Sequence, residues 1–296
     1  MGATEVVNGV SGSTMALILG VYHEFIHALR SIDRNAIALI RKGELREFWL
    51  RINGAFLLTL LLGIALSLFT ITKIVSYFVQ FHFISISSIF FGLILISGLL
   101  LLRKITKWNL RSVIALLFGI VFNYSLTCFA PVTTPNNLIF ALLAGFIAGF
   151  SICFPGISSA FILILIGKYQ YIVTSFSQLN AGVIAIFFIG CLMGLWMASR
   201  FMYRILADFY STTIALLAGL MLGALNKLWP WRQVSEYVTN SKGEQIAAFD
   251  RSVLPWEYVT LTGKDPQVFQ AILMIALGVF IVVLIEKIAA GLKSKI

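Results

Sequence analysis

Two stretches of this 296-residue chain repeat one another. Asn8-Gly9-Val10-Ser11-Gly12 leads to Leu19-Gly20-Val21-Tyr22, and Pro155-Gly156-Ile157-Ser158-Ser159 leads to Ile166-Gly167-Lys168-Tyr169. They align without a gap at a constant offset of 147 residues, Gly9 falling on Gly156. A helix starts with amide groups that lack an intrahelical acceptor and carries about half a positive charge there. A helix restarted at such a turn therefore offers donors to a phosphate or carboxylate. Gly9 and Gly156 let the backbone approach a ligand, and Ser11, Ser13, Thr14, Ser158 and Ser159 add hydroxyls. Val10, Gly12 and Ile157 complete the two candidate phosphate-binding turns. Pro155 suits a helix start because its missing N–H is not needed there, and Asn8, its counterpart, is a good N-cap. Gly-x-Ser also marks close packing or kinks in membrane helices. Two copies, each followed by Gly-x-Tyr, instead match the way duplicated transporters build a polar site at mid-membrane depth.

Ionisable residues near these turns are the candidates for coupling and gating, because charge is costly to bury in a bilayer. Glu5 precedes the first turn and would repel a phosphate unless protonated or bound to a cation, so it is the candidate for proton or sodium coupling. Glu24 and Tyr22 follow Gly20, and Lys168 and Tyr169 follow Gly167. Lys168 is placed to attract an anion arriving from outside, and Arg30 or Arg200 one leaving inside. His23-Glu24-Phe25-Ile26-His27 is an H-E-x-x-H sequence, which on a helix sets two imidazoles and a carboxylate in the zinc-hydrolase arrangement. Its third ligand would have to be Asp33 or Glu44, since His82 is expected at the opposite surface. The second copy has Gln170, Tyr171 and Thr174 in these places, so the motif is not part of the duplicated unit. No metal site and no cofactor is assigned. Walker A, Rossmann and nucleophile-elbow patterns are absent.

The elements that must position these residues are membrane helices. The chain is 59% hydrophobic and 11% charged, with 25 Phe and a mean hydropathy of +0.96, well above the ~45–50% apolar share of soluble domains. Several apolar runs reach the ~20 residues that cross the hydrocarbon as helix, and the alternating pattern of a barrel is missing. The expected fold is an all-α integral membrane protein. The net charge of +10 sits in loops beside apolar spans, not on a polar face with stacking aromatics, which argues against nucleic acid as a partner. Cys128, Cys153 and Cys191 fall within apolar spans and read as ordinary core residues. The start lacks a basic region followed by an apolar core, so no cleavable signal is read there, and Val6 breaks a myristoylation motif.

Full spans are expected at about 53–71, 84–102, 112–129, 182–199, 213–229 and 269–285, and two further segments, about 1–29 and 138–176, read as helical hairpins. Lys and Arg in 30–52, in 103–111, at Arg200 and Arg204, and in the C-terminal tail place these cytoplasmic; 131–137 and 230–267 then face outward. Threading the spans makes the hairpins enter from opposite sides. Residues 1–137 and 138–296 become two halves of an inverted repeat, each a re-entrant hairpin plus three transmembrane helices. The segment 230–267, with Trp229, Trp231, Trp256 and Tyr258 near it, is too polar to cross and reads as an outer interfacial loop. Ala115-Leu116-Leu117…Gly119 also matches Ala215-Leu216-Leu217…Gly219, a similarity between spans running the same way that reads as chance.

Over nearly its whole length the chain resembles the bacterial PopT-type undecaprenyl-phosphate translocases. The resemblance rests on residues 2–14, on Gly20-Val21-Tyr22-His23-Glu24, on Phe154-Pro155-Gly156-Ile157-Ser158-Ser159 with Gly167-Lys168-Tyr169, and on 219–225 before Leu228-Trp229-Pro230. The family pattern has Pro where this chain has Asn8 and Gly where it has Ser159. It usually has more residues ahead of the first motif. The resemblance implies a transporter, not an enzyme, in the bacterial cytoplasmic membrane with its C-terminus inside. It would return the C55 carrier monophosphate from the outer to the inner leaflet for reuse in peptidoglycan and other envelope polymers. Its partners would be undecaprenyl phosphate and membrane lipids. A phosphomonoester bears about −1.5 to −2 charge near neutral pH, so its headgroup needs a polar site while the isoprenoid tail stays in lipid. A transporter of a small soluble anion, and an intramembrane zinc hydrolase built on His23, Glu24 and His27, remain alternatives.

Overall fold

The computed structural model describes Gly2, residues 11–239 and residues 245–293. The chain first makes α1 (Gly12–Ile18) and α2 (Tyr22–Arg30), then two short basic helices, α3 (Arg34–Arg41) and α4 (Leu45–Arg51). α5 (Gly54–Phe69) and α6 (Ile71–Phe81) lead to α7 (Phe83–Leu102) and α8 (Leu110–Cys128). α9 (Leu138–Ser151), α10 (Ser159–Leu165) and α11 (Tyr169–Ser177) precede α12 (Ala181–Asp208) and α13 (Tyr210–Ala224). A β-hairpin, β1 (Arg232–Thr239) and β2 (Gln245–Ser252), is followed by α14 (Pro255–Thr262) and α15 (Val268–Lys293).

Four of these helices, α7, α8, α12 and α15, are long and apolar enough to cross a membrane. Two bent pairs, α4 with α5 at 70° and α10 with α11 at 108°, raise the number to six if each counts as one span. The protein is a multi-pass helical membrane protein. α13 is a 15-residue helix, about 22 Å long, and it is mostly buried between α7 and α8. Its Leu217 and Met221 belong to the main core with Ile26, Phe90, Ile94 and Met202.

Glycines set the helix pairing, because a helix backbone can approach another closely only where no Cβ intervenes. Gly145 and Gly149 of α9 lie against the backbone of Phe187 and Cys191, and Gly194 of α12 against Phe146 and Phe150, so α9 and α12 run parallel. Gly119 of α8 lies against Leu216 and Leu220, and Gly223 of α13 against Ile120 and Tyr124, so these two are parallel as well. The short likeness between 115–119 and 215–219 thus falls on helices in direct contact, Gly119 meeting Gly219. α7 and α15 form a third parallel pair, through Gly92 on Ile275, Gly278 on Ile89 and Leu93, and Gln270 Nε2 donating to Ser85 Oγ over 2.9 Å. Gly2 sits against the backbone of Ile64 in α5.

One end of the bundle gathers the loop 103–109, the α12–α13 turn and the end of α2, and is rich in Arg and Lys. The other end carries 129–137, the start of α12 and the segment 230–267. Where a loop is expected there, β1 and β2 pair antiparallel and α14 follows, the one departure from an all-α fold among the described residues. The indole N–H of Trp229 donates to Val253 O over 2.8 Å and that of Trp231 to Pro266 O over 2.7 Å. Trp231 is buried with Ile84, Val253 and Ala271, while Trp256 stays exposed. Trp229 and Tyr258 pack against this cluster too, so three of the four expected interfacial aromatics join the cap to the bundle, and the two indoles find their acceptors in loop carbonyls.

Candidate functional site

The duplicated sequences fold alike, element by element. α1 and α10 each have seven residues and α2 and α11 nine, and each pair keeps the 147-residue offset. Ser11 caps α1 by accepting from Ser13 N over 3.3 Å, and Ser158 caps α10 by accepting from Phe161 N over 3.3 Å. Gly20 (φ 75°) and Gly167 (φ 68°) make the left-handed turns that end α1 and α10, and Val21 N to Ala16 O is repeated as Lys168 N to Leu163 O. The sequence reading starts the second helix at Pro155; the helix begins four residues later, at Ser159, because the Ser158 side chain supplies the cap while Pro155 and Gly156 form the turn before it. Asn8, Gly9, Val10 and Glu5 lie outside the described residues.

The two turns meet. The Gly156 amide donates to Thr14 Oγ1 over 2.8 Å, and both residues are buried. Gly156 has φ 89°, and a Cβ on it would stand 2.7 Å from the carbonyl of Leu220 in α13. Ser11 Oγ and Ser13 Oγ share a hydrogen bond of 2.7 Å, and Ser11, Gly12, Ser13 and Thr14 are all buried. Tyr22 donates its hydroxyl to Cys153 O over 2.6 Å, a second link between the copies. Ser159 turns toward α9, with its Oγ 2.9 Å from Ser151 Oγ and donating to Ala148 O over 3.2 Å. Ile157 N closes onto Phe154 O over 3.2 Å.

Asn123 on α8 is a site residue that the sequence reading passed over. Its amide donates to Gly156 O over 2.9 Å and to Leu220 O over 2.6 Å, so it pins the turn to α13. A carboxamide in an otherwise apolar span was the signal, since a buried amide persists in such a place when it is hydrogen-bonded. What the assembly can do chemically follows from the helix starts. Each cap serine satisfies one first-turn amide, and first-turn amides without intrahelical acceptors are the groups an anion meets.

The charged candidates scatter. Lys168 is 1% exposed, donates to Thr134 O over 2.7 Å and to Asn136 Oδ1 over 2.8 Å, and stands beside the rings of Phe140 and Tyr171. It ties the α10–α11 break to the 129–137 loop at the capped end. Tyr169 next to it is exposed. At the basic end the Arg30 guanidinium lies 3.7 Å from the centre of the Tyr203 ring, and Arg200 donates to Ile32 O over 2.9 Å, joining α12 to the α2–α3 turn. Glu24 accepts from Asn53 Nδ2 over 2.7 Å.

The H-E-x-x-H residues lie on α2 with His23, Glu24 and His27 exposed. Among the described residues no cluster of three His, Cys, Asp or Glu converges on a metal-sized site. Asp33, one of the ligands considered, is engaged by Arg51 at 2.7 Å. The Arg51 side chain and the Ala36 amide hold the Asp33 carboxyl below its ordinary value.

A family model described as VCA0040-like, undecaprenyl phosphate translocase-like, matches residues 1–246. A polyprenyl-phosphate transporter of Vibrio cholerae serotype O1 is 36% identical over 289 residues, 98% of this chain and 94% of that one. A polyprenyl-phosphate transporter of Staphylococcus aureus is 27% identical over 250 residues, 78% of this chain and 83% of that one. No solved structure matches.

Proposed function

The chain belongs to the undecaprenyl phosphate translocase-like family, and on that premise we propose that it carries undecaprenyl phosphate from the outer to the inner leaflet of the bacterial cytoplasmic membrane, for reuse in envelope polymer synthesis. The hydrogen bond between Thr14 and Gly156 is the observation that carries this reading, because it brings the two duplicated turns into one buried place. The headgroup phosphate sits at the starts of α1 and α10, served by Ser11, Gly12, Ser13, Thr14, Gly156, Ile157, Ser158 and Ser159 with Gly9 and Val10, and the tail stays in lipid.

The two halves are an inverted repeat with re-entrant hairpins. Three relationships support this. Hairpin α1–α2 leads to the basic end, where α2 meets Tyr203, whereas α10–α11 leads to the capped end, where Lys168 meets Thr134. The parallel pair α8 and α13 has its counterpart in α15 and α7, as an exchange of halves requires. Gly2 on α5 corresponds to Gly145 and Gly149 of α9 on α12. Two energy sources fit this reading: a proton or sodium gradient, with Glu5 as the candidate coupling residue, or consumption of the lipid inside.

Reconstitution in liposomes, with a leaflet-selective probe of undecaprenyl phosphate and with proton, sodium or no gradient, tests the reading. The wild-type protein should speed the loss of probe from one leaflet, and Ser11→Phe or Ser158→Phe should abolish the effect. No acceleration under any gradient would remove the proposal. Transport of a water-soluble phosphomonoester in its place would make the cargo a soluble anion.

A further inference from the structure

Between α2 and α5 the chain folds two short helices with uncovered apolar side chains. In α3, Ala36, Ile37, Leu39 and Ile40 make one side and Arg34, Asn35 and Arg41 the other, and Ile37 and Ile40 are exposed. In α4, Leu45, Trp49 and Leu50 are exposed, Leu50 to 69%. α4 meets α5 at 70°, and Trp49 fills the corner against Gly54. With α5 along the bilayer normal, α4 lies near the membrane plane.

The charge of this segment is one-sided. Arg30, Arg34, Arg41, Lys42, Arg46 and Arg51 face only Asp33, Glu44 and Glu47. Arg51 is paired with Asp33 and Arg30 lies over Tyr203, which leaves Arg34, Arg41, Lys42 and Arg46 against Glu44 and Glu47, a net positive surface. Exposed aliphatic and indole groups beside basic side chains with apolar stems suit the boundary between acyl chains and headgroups. Water alone does not, since it gives Leu50 and Ile40 nothing.

We propose that α3 and α4 form an in-plane collar that seats on anionic phospholipid headgroups at the basic end of the bundle. Ile37, Ile40, Leu45 and Leu50 enter the acyl boundary, while Arg34, Arg41, Lys42 and Arg46 meet lipid phosphates. This surface is separate from the paired turns and stands whether or not they hold cargo.

The test is amide hydrogen exchange of the full-length protein in vesicles of phosphatidylcholine alone or mixed with phosphatidylglycerol. Exchange over residues 34–51 should be slower with phosphatidylglycerol, the difference should fade at high salt, and each cation should contribute about fivefold to it. The variant R34Q/R41Q/K42Q/R46Q should lose the difference, and R34K/R41K/R46K should keep it, because a headgroup surface responds to point charge. Amides of α7 and α8 report in the same experiment that each variant is folded; if the Gln variant is not, the salt titration and the Lys variant decide. Equal exchange of the wild type in both lipids would overturn the proposal. So would a Gln variant that keeps the difference, or the same slowing by inorganic phosphate in phosphatidylcholine vesicles, which would assign the face to a free anion.

Discussion

The amide of Gly156 donates to the side-chain oxygen of Thr14 over 2.8 Å, so the turn of one duplicated segment is held by the first helix of the other. The two residues are 142 positions apart in sequence. A backbone donor in a membrane interior must be satisfied within the protein, and here a side chain of the first copy satisfies the backbone of the second.

Thr14→Val keeps the shape of the side chain and removes the acceptor. An unsatisfied buried donor costs about 1–3 kcal/mol, so leaflet transfer in the liposome assay should fall roughly tenfold or more. Thr14→Ser should stay near wild type. Equal loss in both variants would show that the hydroxyl is not what matters.

Asn123→Leu withdraws the donor shared by Gly156 O and Leu220 O. Hydrogen bonds of this kind in membranes are worth about 0.6–2 kcal/mol, and thermal unfolding of the purified protein should shift down by a few degrees. Asn123→Asp should also lose stability, since a carboxylate cannot donate to a carbonyl and a protonated carboxyl has one O–H where the amide gives two N–H groups.

Gly156→Ala and Gly20→Ala ask the same backbone for different things. Both positions have positive φ, and a left-handed conformation costs a residue with a side chain about 1–2 kcal/mol. At Gly20 the added Cβ meets open space, whereas at Gly156 it would meet the Leu220 carbonyl. Gly156→Ala should therefore destabilise by more than about 3 kcal/mol and Gly20→Ala by far less, compared by thermal unfolding.

The Asp33–Arg51 pair carries a pH dependence of definite sign. Arg51 and the Ala36 amide hold the folded carboxyl below its ordinary value, so the stabilisation is complete above the unfolded value of about 3.9 and is lost as pH falls below it. Protection of amides at the start of α3, taken relative to each amide's intrinsic exchange rate at that pH, should fall under acid conditions, and Asp33→Asn should flatten that response. Protection that falls between basic and neutral pH, or that holds unchanged below the carboxyl range, would contradict it.

Much of the architecture is visible in particular residues. The apolar runs at 84–102 and 112–129 become α7 and α8 within about two residues, because ~20 charge-free residues have little choice but helix in hydrocarbon. Gly20 and Gly167 end their helices where the repeat places them. The caps were less legible. Pro155 looked like a helix start, yet Ser158 wins that role with a hydroxyl at the right place. The hairpin at 232–252 and the inward Trp229 and Trp231 also escaped, since strand pairing and indole acceptors depend on what the segment packs against. Lys168 holds Thr134 and Asn136, a contact that needs the 129–137 loop in place and that the sequence around Lys168 does not announce.

Local pattern alone, then, determined that the chain lives in a membrane, that it contains a duplicated broken helix, and which serines and glycines shape each copy; these follow from hydropathy and backbone sterics over a few residues. Only the tertiary structure decided that Thr14 reaches Gly156, that Asn123 secures the turn, and that Lys168 is held by Thr134 and Asn136. Those partners come from distant parts of the chain, and hydrogen bonds that short are set by how glycine-lined helices pack, which no stretch of sequence carries by itself.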